Sequence, residues 1–236
     1  MAKVNIIIRA FNRLEYTALT IREIDRLAGY SDYKIIVVDN ASTDGTGQWL
    51  KSLEFEGYYK IKPIYLDYNV GDFGGTKVGY ENLDPDCEYT MQWDNDCPPV
   101  TAHFLKKMVE VMDAFPQIGQ LMLKRDGVWN VLRITNTQEY NGVLFGDADK
   151  VTCVNMHRRS AVDKINFWVT EPNTTTFWDF ELNRRMRESG YSLKKIENFR
   201  VVHIDMFPDL NLRLQEKKYS KYFGSRQNIN YNTIKY

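Results

Sequence analysis

Four short apolar runs, separated by segments with helical spacing, dominate the first hundred residues. The runs are rich in β-branched and aromatic residues, which is typical of strands buried on both faces of a parallel sheet. They are Val4–Ile8, Ile35–Val38, Ile61–Leu66 and Tyr89–Trp93. Pro63 favours an edge position for the third strand, because proline cannot donate a ladder hydrogen bond. The alternation predicts an α/β fold with a mostly parallel central sheet and helices on both faces.

The second half of the chain is less regular but continues the mixture of elements. We expect a helix over 102–114, strands over 118–123 and 151–156, a helix over 179–189 and a last strand over 201–204. Residues 126–150 are polar and show no clear periodicity, so no element is assigned there. Because no repeat or linker divides the chain, we expect a single domain over 1–236 that ends in a tail over 206–236.

The composition excludes several classes of protein. Lys and Arg number 31, as do Asp and Glu, so no net charge attracts nucleic acid. Cys87, Cys97 and Cys153 include no Cys-x-x-Cys pair, which argues against a disulfide framework or a thiolate metal cage. The first apolar run stops at Arg9, too early for a signal peptide or membrane span. We expect a cytoplasmic protein without an integral membrane segment; peripheral attachment to a membrane through aromatic residues stays open.

Polar residues follow the predicted strands at their carboxyl ends, where ligands bind in open α/β sheets. Asn12 follows the first strand, Asp39 the second, and Asp94 the fourth. Asp94-Asn95-Asp96 precedes two prolines, so two carboxylates project from a rigid turn, as a divalent cation such as Mg²⁺ or Mn²⁺ requires. The alternative is that both carboxylates are solvated, or that they cap the helix beginning near Thr101.

Two further clusters have the chemistry of a nucleotide site. Asp39 can accept hydrogen bonds from a nucleobase or ribose, whereas Ser42, Thr43 and Asp44 can simply cap the next helix. The segment 69–76 carries closely spaced glycines before a helix, an arrangement that presents backbone amides to a phosphate or sugar. It lacks the ending of a Walker loop. A tight turn without any ligand explains these glycines almost as well.

Asp179 and His203 are the remaining candidates. Asp179 begins a helix beside Trp178, and a shielded carboxylate gains the proton affinity that suits a general base. The alternative is that its acidity only stabilises the helix N-terminus. His203 follows an apolar strand and could be a metal ligand in the company of Asp96, although a lone histidine is more often structural.

Taken in this order, the clusters resemble the GT-A glycosyltransferases of family 2. The resemblance covers residues 4 to about 205, and the joint match is more specific than any single segment. The matching segments are Phe11-Asn12-Arg13, the run Val37–Thr46, Asn69 with Gly71 and Gly75, the triplet Asp94-Asn95-Asp96, and a helix from Asp179 to Gly190-Tyr191. The resemblance implies a GT-A (nucleotide-diphospho-sugar transferase) fold, with a nucleotide-binding half over 1–100 and an acceptor and catalytic half over 101–205.

The resemblance also implies an inverting transfer of a sugar from a UDP- or GDP-sugar to a hydroxyl acceptor such as a glycan. Asp96 would bind Mn²⁺ or Mg²⁺ on the diphosphate, with His203 as a further ligand and Asp94 serving the metal, the ribose or the sugar. Asp179 would be the general base that deprotonates the acceptor, and Asp39 would hold the nucleobase. The implied donor-binding set is Arg9, Phe11, Asn12, Asp39, Asn69, Gly71, Gly75, Lys77 and Asp94.

Three positions depart from the family's common pattern. Arg9 stands where proline is usual and Lys77 where asparagine is usual, which predicts a more basic donor pocket. Trp178 replaces a glutamate, so the assignment of the base depends on Asp179 alone. Arg158-Arg159 lies in a segment that often precedes the acceptor region, although two such residues before a helix are more often solvated.

Two other functions stay open on the sequence. A sugar-phosphate nucleotidyltransferase needs a Gly-rich basic loop after the first strand, and residues 8–12 contain no glycine. A non-catalytic module that binds nucleotide sugars or glycans would keep the pocket without the acidic residues of the site. The aromatic pairs Phe167-Trp168 and Phe177-Trp178 offer faces for sugar stacking, and packing in the core explains them equally well.

Overall fold

The computed structural model describes residues 2–126, 134–168 and 178–204. Its strands are β1 (Val4–Ala10), β2 (Tyr33–Asp39), β3 (Ile61–Tyr65), β4 (Tyr89–Asp94), β5 (Ile118–Asp126), β6 (Ile134–Tyr140), β7 (Val143–Ala148), β8 (Asn155–Arg158) and β9 (Ser192–Val202). Its helices are α1 (Leu14–Leu27), α2 (Thr46–Phe55), α3 (Gly71–Glu81), α4 (Phe104–Ala114), α5 (Arg159–Lys164) and α6 (Trp178–Glu188). No helix among these is long and apolar enough to cross a membrane. Phe177 and the predicted tail lie outside the described residues.

One sheet contains all of these strands, in the order β3-β2-β1-β4-β8-β5-β9-β7-β6. The first four strands in this order run parallel, as predicted, and β3 with its proline is an edge strand. In the other half, β8 runs antiparallel between β4 and β5, and β7 runs antiparallel to both β6 and β9. Only β5 and β9 pair in parallel there. The α/β class is confirmed, but the sheet is mixed rather than mostly parallel.

The end of α1 shows how the sequence fixes a local junction. Gly29 follows the helix with φ +61°, a left-handed conformation that glycine adopts without strain. A Cβ at this position would lie 2.3 Å from His103 Nδ1, so the close approach of α4 also requires glycine. The amide of His103 donates to the carbonyl oxygen of Leu27 at 2.6 Å. The carbonyl groups at the end of α1 therefore accept hydrogen bonds from amides at the start of α4.

Apolar side chains cover both faces of the sheet. The larger cluster lies against α1 and α4, and the smaller one joins α3, α5 and α6. Phe73, Phe167, Trp168 and Trp178 form the aromatic centre of the smaller cluster, with ring centroids 5.1–6.4 Å apart. Each of these four residues is at most 6% exposed. The described members of the two predicted aromatic pairs therefore pack in the core and do not offer faces for sugar stacking.

The structure extends several predicted elements. α3 begins five residues before its predicted start at Thr76, and β9 spans eleven residues where four were predicted. The unassigned stretch 126–150 contains the hairpin β6–β7, apart from residues 127–133, which are not described. Its turn is Asn141-Gly142, with φ +48° and +78°. An Asn-Gly pair between strands is a strong sequence signal for such a hairpin, and we missed it.

Candidate functional site

A cavity of about 420 Å³ opens at the carboxyl ends of β1 and β4. β1 pairs with β2 on one side and β4 on the other, so the strand order changes direction at this point, where α/β sheets bind ligands. Its volume falls in the usual range for ligand sites, about 300–1,000 Å³. The predicted residues that line it are Arg9, Phe11, Asn69, Gly71, Asp94, Asp96 and His203.

Asp96 is a buried carboxylate at the floor of this cavity, 3% exposed. Its Oδ2 lies 3.0 Å from Arg13 Nη1 and 3.4 Å from His203 Nε2. Burial raises the pKa of Asp96, but the hydrogen bond and charge of His203, together with the charge of Arg13, lower it below its usual value. Asp96 is thus neither solvated nor a cap of α4, which begins at Phe104. The alternative explanation of this residue is therefore wrong.

His203 reaches Asp96 because the end of β9 pairs with the turn after β4. The amide of Ile204 donates to the carbonyl oxygen of Asp96 at 3.0 Å. On its other side, the ring Nδ1 of His203 lies 3.4 Å from Arg125 Nη1. Nε2, the ring nitrogen that faces Asp96, must be free of a proton to bind a cation.

The donor atoms at this point suit a hard divalent cation. Ligand atoms of Asp94, Asp96, Cys97 and His203 all lie within 4.8 Å of one another. Burial and the neighbouring Cys153 raise the pKa of the Cys97 thiol well above its usual value, so it stays protonated and is a poor ligand. The carboxylate oxygens remain, as Mn²⁺ and Mg²⁺ prefer. All three cysteines are free.

Arg9 joins three elements beneath the cavity. Its Nε lies 2.6 Å from Asp72 Oδ1, its Nη2 binds Asp94, and its Nη1 donates to Thr76 Oγ1 at 3.2 Å. A Cβ on Gly75 would lie 3.4 Å from Arg9 Cγ, an ordinary van der Waals distance, so Gly75 packs directly against the arginine stem. Burial lowers the pKa of Arg9, but the charges of Asp72 and Asp94 raise it more. Two carboxylates balance Arg9, so it does not make the pocket more basic, contrary to our expectation.

Asn12 and Asp39 bind backbone groups of the protein itself. Asn12 Oδ1 accepts a hydrogen bond from the backbone amide of Thr43 at 2.8 Å. The backbone amide of Asn12 donates to Ser42 Oγ at 2.8 Å. Asp39 Oδ1 accepts from the amide of Ser42 at 3.0 Å. Asp44 accepts from the first amides of both α1 and α2, which extends its predicted capping role. Neither Asn12 nor Asp39 lines the cavity, so ligand contacts by these residues stay predictions.

The glycine segment forms the turn into α3. Gly71 has φ +77°, and its amide donates to Asn69 Oδ1 at 2.8 Å. Asn40 holds this turn, because its Nδ2 donates to the carbonyl oxygen of Gly71 at 3.2 Å and its Oδ1 accepts from the amide of Val70 at 2.8 Å. The N-terminus of α3 therefore faces the cavity, which favours an anion. Lys77 lies farther along α3 and does not line the cavity.

Asp179 lies in the first turn of α6. Burial, with the charges of Asp72 and Asp94 added, raises its pKa to about 6, although the amide of Phe180 donates to Oδ1 at 3.1 Å and opposes the shift. A helix N-terminus acting alone would lower the pKa of a carboxylate, so burial and the neighbouring carboxylates dominate. A carboxyl group that titrates near 6 is suited to general-base catalysis at neutral pH.

The two adjacent arginines hold the protein backbone. Arg158 Nε donates to the carbonyl oxygen of Ile118 at 3.1 Å, and Arg159 Nη1 donates to that of Pro85 at 2.6 Å. These contacts explain both residues as structural groups.

Sequence reasoning did not select Arg13, Asn40 or Asp72 as site residues, although each lines the cavity. Asn40 directly follows Asp39 at the end of β2, so its position at a strand end was an available signal. Arg13 was quoted only as part of a motif. Asp72 was not singled out, and nothing in its local sequence shows that it pairs with Arg9, 63 positions away.

Comparison with known proteins agrees with this geometry. The model of Glycosyl transferase family 2 matches residues 5–166, more than two thirds of the chain. The chain belongs to this family and is therefore a glycosyltransferase (EC 2.4). The predicted family and reaction class are confirmed, and nucleotidyl transfer is not supported.

The relatives are distant in sequence. An undecaprenyl-phosphate 4-deoxy-4-formamido-L-arabinose transferase of Serratia proteamaculans is 24% identical over 90% of this chain and 70% of its own length. A mannosyltransferase of Pyrobaculum calidifontis, solved with GDP-Man and Mn²⁺, superposes with a TM-score of 0.69 at 16% identity, over 93% of this chain and 61% of that one. TarS of S. aureus with UDP-GlcNAc gives a TM-score of 0.63 at 16% identity, over 85% and 58%. The chain thus spans about three fifths of these solved proteins, and their likeness confirms the GT-A fold.

Proposed function

We propose that this protein transfers a sugar from a UDP- or GDP-sugar to a hydroxyl acceptor such as a glycan, with inversion at the sugar carbon. One arrangement carries the proposal. The cavity is lined by the carboxyl groups of Asp94 and Asp96, and the pKa of Asp179 is raised by burial and by the charges of Asp72 and Asp94. Asp94 and Asp96 are suited to binding a cation on a diphosphate. Asp179 is suited to taking up a proton near neutral pH.

The donor nucleotide has several contacts available on the β1–β2 side of the cavity. Phe11 is 48% exposed there and offers an aromatic face to a nucleobase. Asn69 and Gly71 lie at the N-terminus of α3, where backbone amides suit phosphate oxygens. Because one solved relative holds GDP-Man and another holds UDP-GlcNAc, we consider both bases.

Asp96, with Asp94 and His203, would hold Mn²⁺ or Mg²⁺, the ion that neutralises the growing charge on the departing diphosphate in such enzymes. The side chain of Arg13 is 45% exposed and can leave Asp96 at little desolvation cost. Its guanidinium can then donate to phosphate oxygens. Asp96 thus keeps a positively charged neighbour in either state.

Asp179 would accept the proton of the acceptor hydroxyl. Its pKa of about 6 leaves it ionised at neutral pH and basic enough to take up a proton as the new bond forms. Asp72 and Asp94 both raise its proton affinity, so the charge of the donor side makes the base stronger.

The test is a thermal-shift panel with UDP, GDP, CMP and dTDP, each with and without Mn²⁺. We expect one nucleoside diphosphate to raise the melting temperature only with the metal. Asp96→Asn should lose that metal-dependent shift, whereas Asp179→Asn should keep it and lose turnover. Absence of a shift with every nucleotide would refute the proposal.

The effect of Asp179→Asn also tests which class of acceptor the protein uses. A hydroxyl must lose a proton during transfer, whereas a phosphate oxygen, as in the undecaprenyl phosphate named for the Serratia relative, is already anionic. Asp179→Asn should therefore abolish transfer to an oligosaccharide. If the wild-type protein instead glycosylates a polyprenyl phosphate and Asp179→Asn does so equally well, the hydroxyl acceptor is wrong.

A further inference from the structure

Asp72 connects the donor side of the cavity to the helix that carries Asp179. Its Oδ1 lies 2.6 Å from Arg9 Nε, and its Oδ2 accepts a hydrogen bond from Trp178 Nε1 at 2.5 Å. Arg9 in turn binds Asp94. One carboxylate on α3 therefore bridges β1 and the first residue of α6.

The residue after Asp72 completes the contact. Phe73 packs edge-on against Trp178 with ring centroids 6.0 Å apart, and it stacks on Trp168 at 5.6 Å. Trp178 is 1% exposed, so its indole N–H needs an internal acceptor, and Asp72 supplies one. The dipeptide Asp72-Phe73 thus holds the indole by both its polar and its apolar parts.

Arg9 and Trp178 both contact Asp72. The side chain of Arg9 is only 11% exposed, so its guanidinium needs buried counter-charges. Asp94 pairs with Nη2 of Arg9 and Asp72 pairs with Nε, so the two carboxylates together fix the orientation of the guanidinium. The oxygen of Asp94 that contacts Arg9 is thereby fixed as well.

We propose that Asp72 is a positioning residue for glycosyl transfer, which holds Asp179 in place against the donor site through its bonds to Trp178 and Arg9. This inference rests on the proposed function. Trp178 directly precedes Asp179, so a shift in the position of the indole ring moves the start of α6 and the proposed base with it. A displacement of about 1 Å can cost about 100-fold in rate without loss of binding.

Two substitutions separate the two bonds of Asp72. Trp178→Phe removes the indole N–H, keeps an aromatic ring against Phe73, and leaves the pair with Arg9 intact. Asp72→Asn removes the charge that faces Arg9 while keeping the size of the side chain. Asp163→Asn is the matched control, because Asp163 also accepts a hydrogen bond from an aromatic residue of α3, Tyr80, but lies outside the cavity lining.

The readouts are kcat and donor KM by nucleoside-diphosphate release, together with the pH profile of kcat. We expect both variants to lower kcat at least about tenfold because the base is misplaced, and we expect donor KM to stay unchanged in Trp178→Phe, which leaves the pair of Asp72 with Arg9 intact. Asp72→Asn should also shift the acidic limb of the profile to lower pH, since the charge of Asp72 raises the pKa of Asp179. Trp178→Phe should leave that limb where it is, and Asp163→Asn should match the wild type throughout.

Three outcomes would overturn the inference. One is a wild-type kcat in both variants. A second is a loss of donor binding that accounts for the whole effect. A third is a decrease in Asp163→Asn as large as that in Asp72→Asn, which would indicate a general role of α3 in stability. If Asp179→Asn is inactive while Asp72→Asn and Trp178→Phe are normal, only this inference fails; if Asp179→Asn is active, the proposed base itself is wrong.

Discussion

Replacing Asp179 with asparagine should make the folded protein more stable at neutral pH while it abolishes turnover. The pKa of Asp179 is raised from 3.8 to about 6, first by burial and then by the charges of Asp72 and Asp94. The folded state therefore binds this proton more tightly than the unfolded state does. The resulting stabilisation is complete below pH 3.8 and is lost as the pH rises through 6.

The shift sets the size of the effect. About two pKa units correspond to about 3 kcal/mol in favour of the neutral form. The side chain is only partly buried, so solvent reduces this figure, and we expect about 1–2 kcal/mol. Asp179→Asn should be more stable than the wild type by this amount at pH 8, and the difference should shrink toward pH 4.5.

Urea unfolding at pH 4.5 and pH 8 measures the stability, and nucleoside-diphosphate release from pH 5 to 9 measures the activity. Wild-type kcat should fall about tenfold per pH unit below 6, and Asp179→Asn should lose about 10²- to 10⁴-fold at pH 8. Glu181→Gln is the control on the same helical turn. Hydrogen bonds from Arg184 and then Arg185 lower the pKa of Glu181 to about 2, so its loss should leave the acidic limb unchanged.

Either measurement can contradict the reasoning. An acidic limb near pH 4, or equal stability of Asp179→Asn and the wild type at pH 8, would show that the folded protein does not raise the pKa of this carboxyl group. Normal turnover in Asp179→Asn would show that another group takes the proton.

Asp96→Asn should weaken Mn²⁺-dependent nucleotide binding at least about tenfold, and more than Asp94→Asn does; equal effects by thermal shift would contradict this order. Burial lowers the pKa of His157 to about 3, so the unfolded state takes up a proton first as the pH falls below 6.5, and the protein should lose about 2 kcal/mol by pH 5. His157→Gln should flatten that part of the stability profile in urea titrations, and an unchanged slope would exclude the effect. Gly79→Ala places a Cβ 2.3 Å from Ile7 Cγ2, and overpacking of about 1–3 kcal/mol should exceed the gain of about 1 kcal/mol in helix propensity. A Gly79→Ala variant with undiminished stability in urea would show that the strand side chain can move aside.

The parts of the fold that could be predicted from sequence are those with a signal within a short segment of the chain. Buried β-branched runs identified the first four strands, and Pro63 identified β3 as the edge. The direction of β8 was beyond this reasoning, because a short apolar run has the same sequence whether its neighbours are parallel or antiparallel. The hairpin turn at Asn141-Gly142 is different, since its signal is local and was available.

The candidate site divides in the same way. Asp94 and Asp96 were found because carboxylates after a buried strand are visible in one short segment. The links of Asp72 to Arg9 and to Trp178 span 63 and 106 positions of sequence, and no local pattern encodes them. The predicted basic pocket was wrong at Arg9 for this reason, because its counter-charges lie on other elements of the fold.

These counter-charges also distinguish the two carboxylates of the proposed metal site. The partner of Asp94 is Arg9, which is 11% exposed and also paired with Asp72, so releasing it from Asp94 would remove one of the two counter-charges of a buried cation. The charged partner of Asp96 is Arg13, which is 45% exposed and can turn into solvent. A cation that enters the cavity therefore displaces Arg13 more readily than Arg9. We therefore propose that Asp96 would be the principal metal ligand and that Asp94 would contribute only the oxygen that Arg9 leaves uncovered.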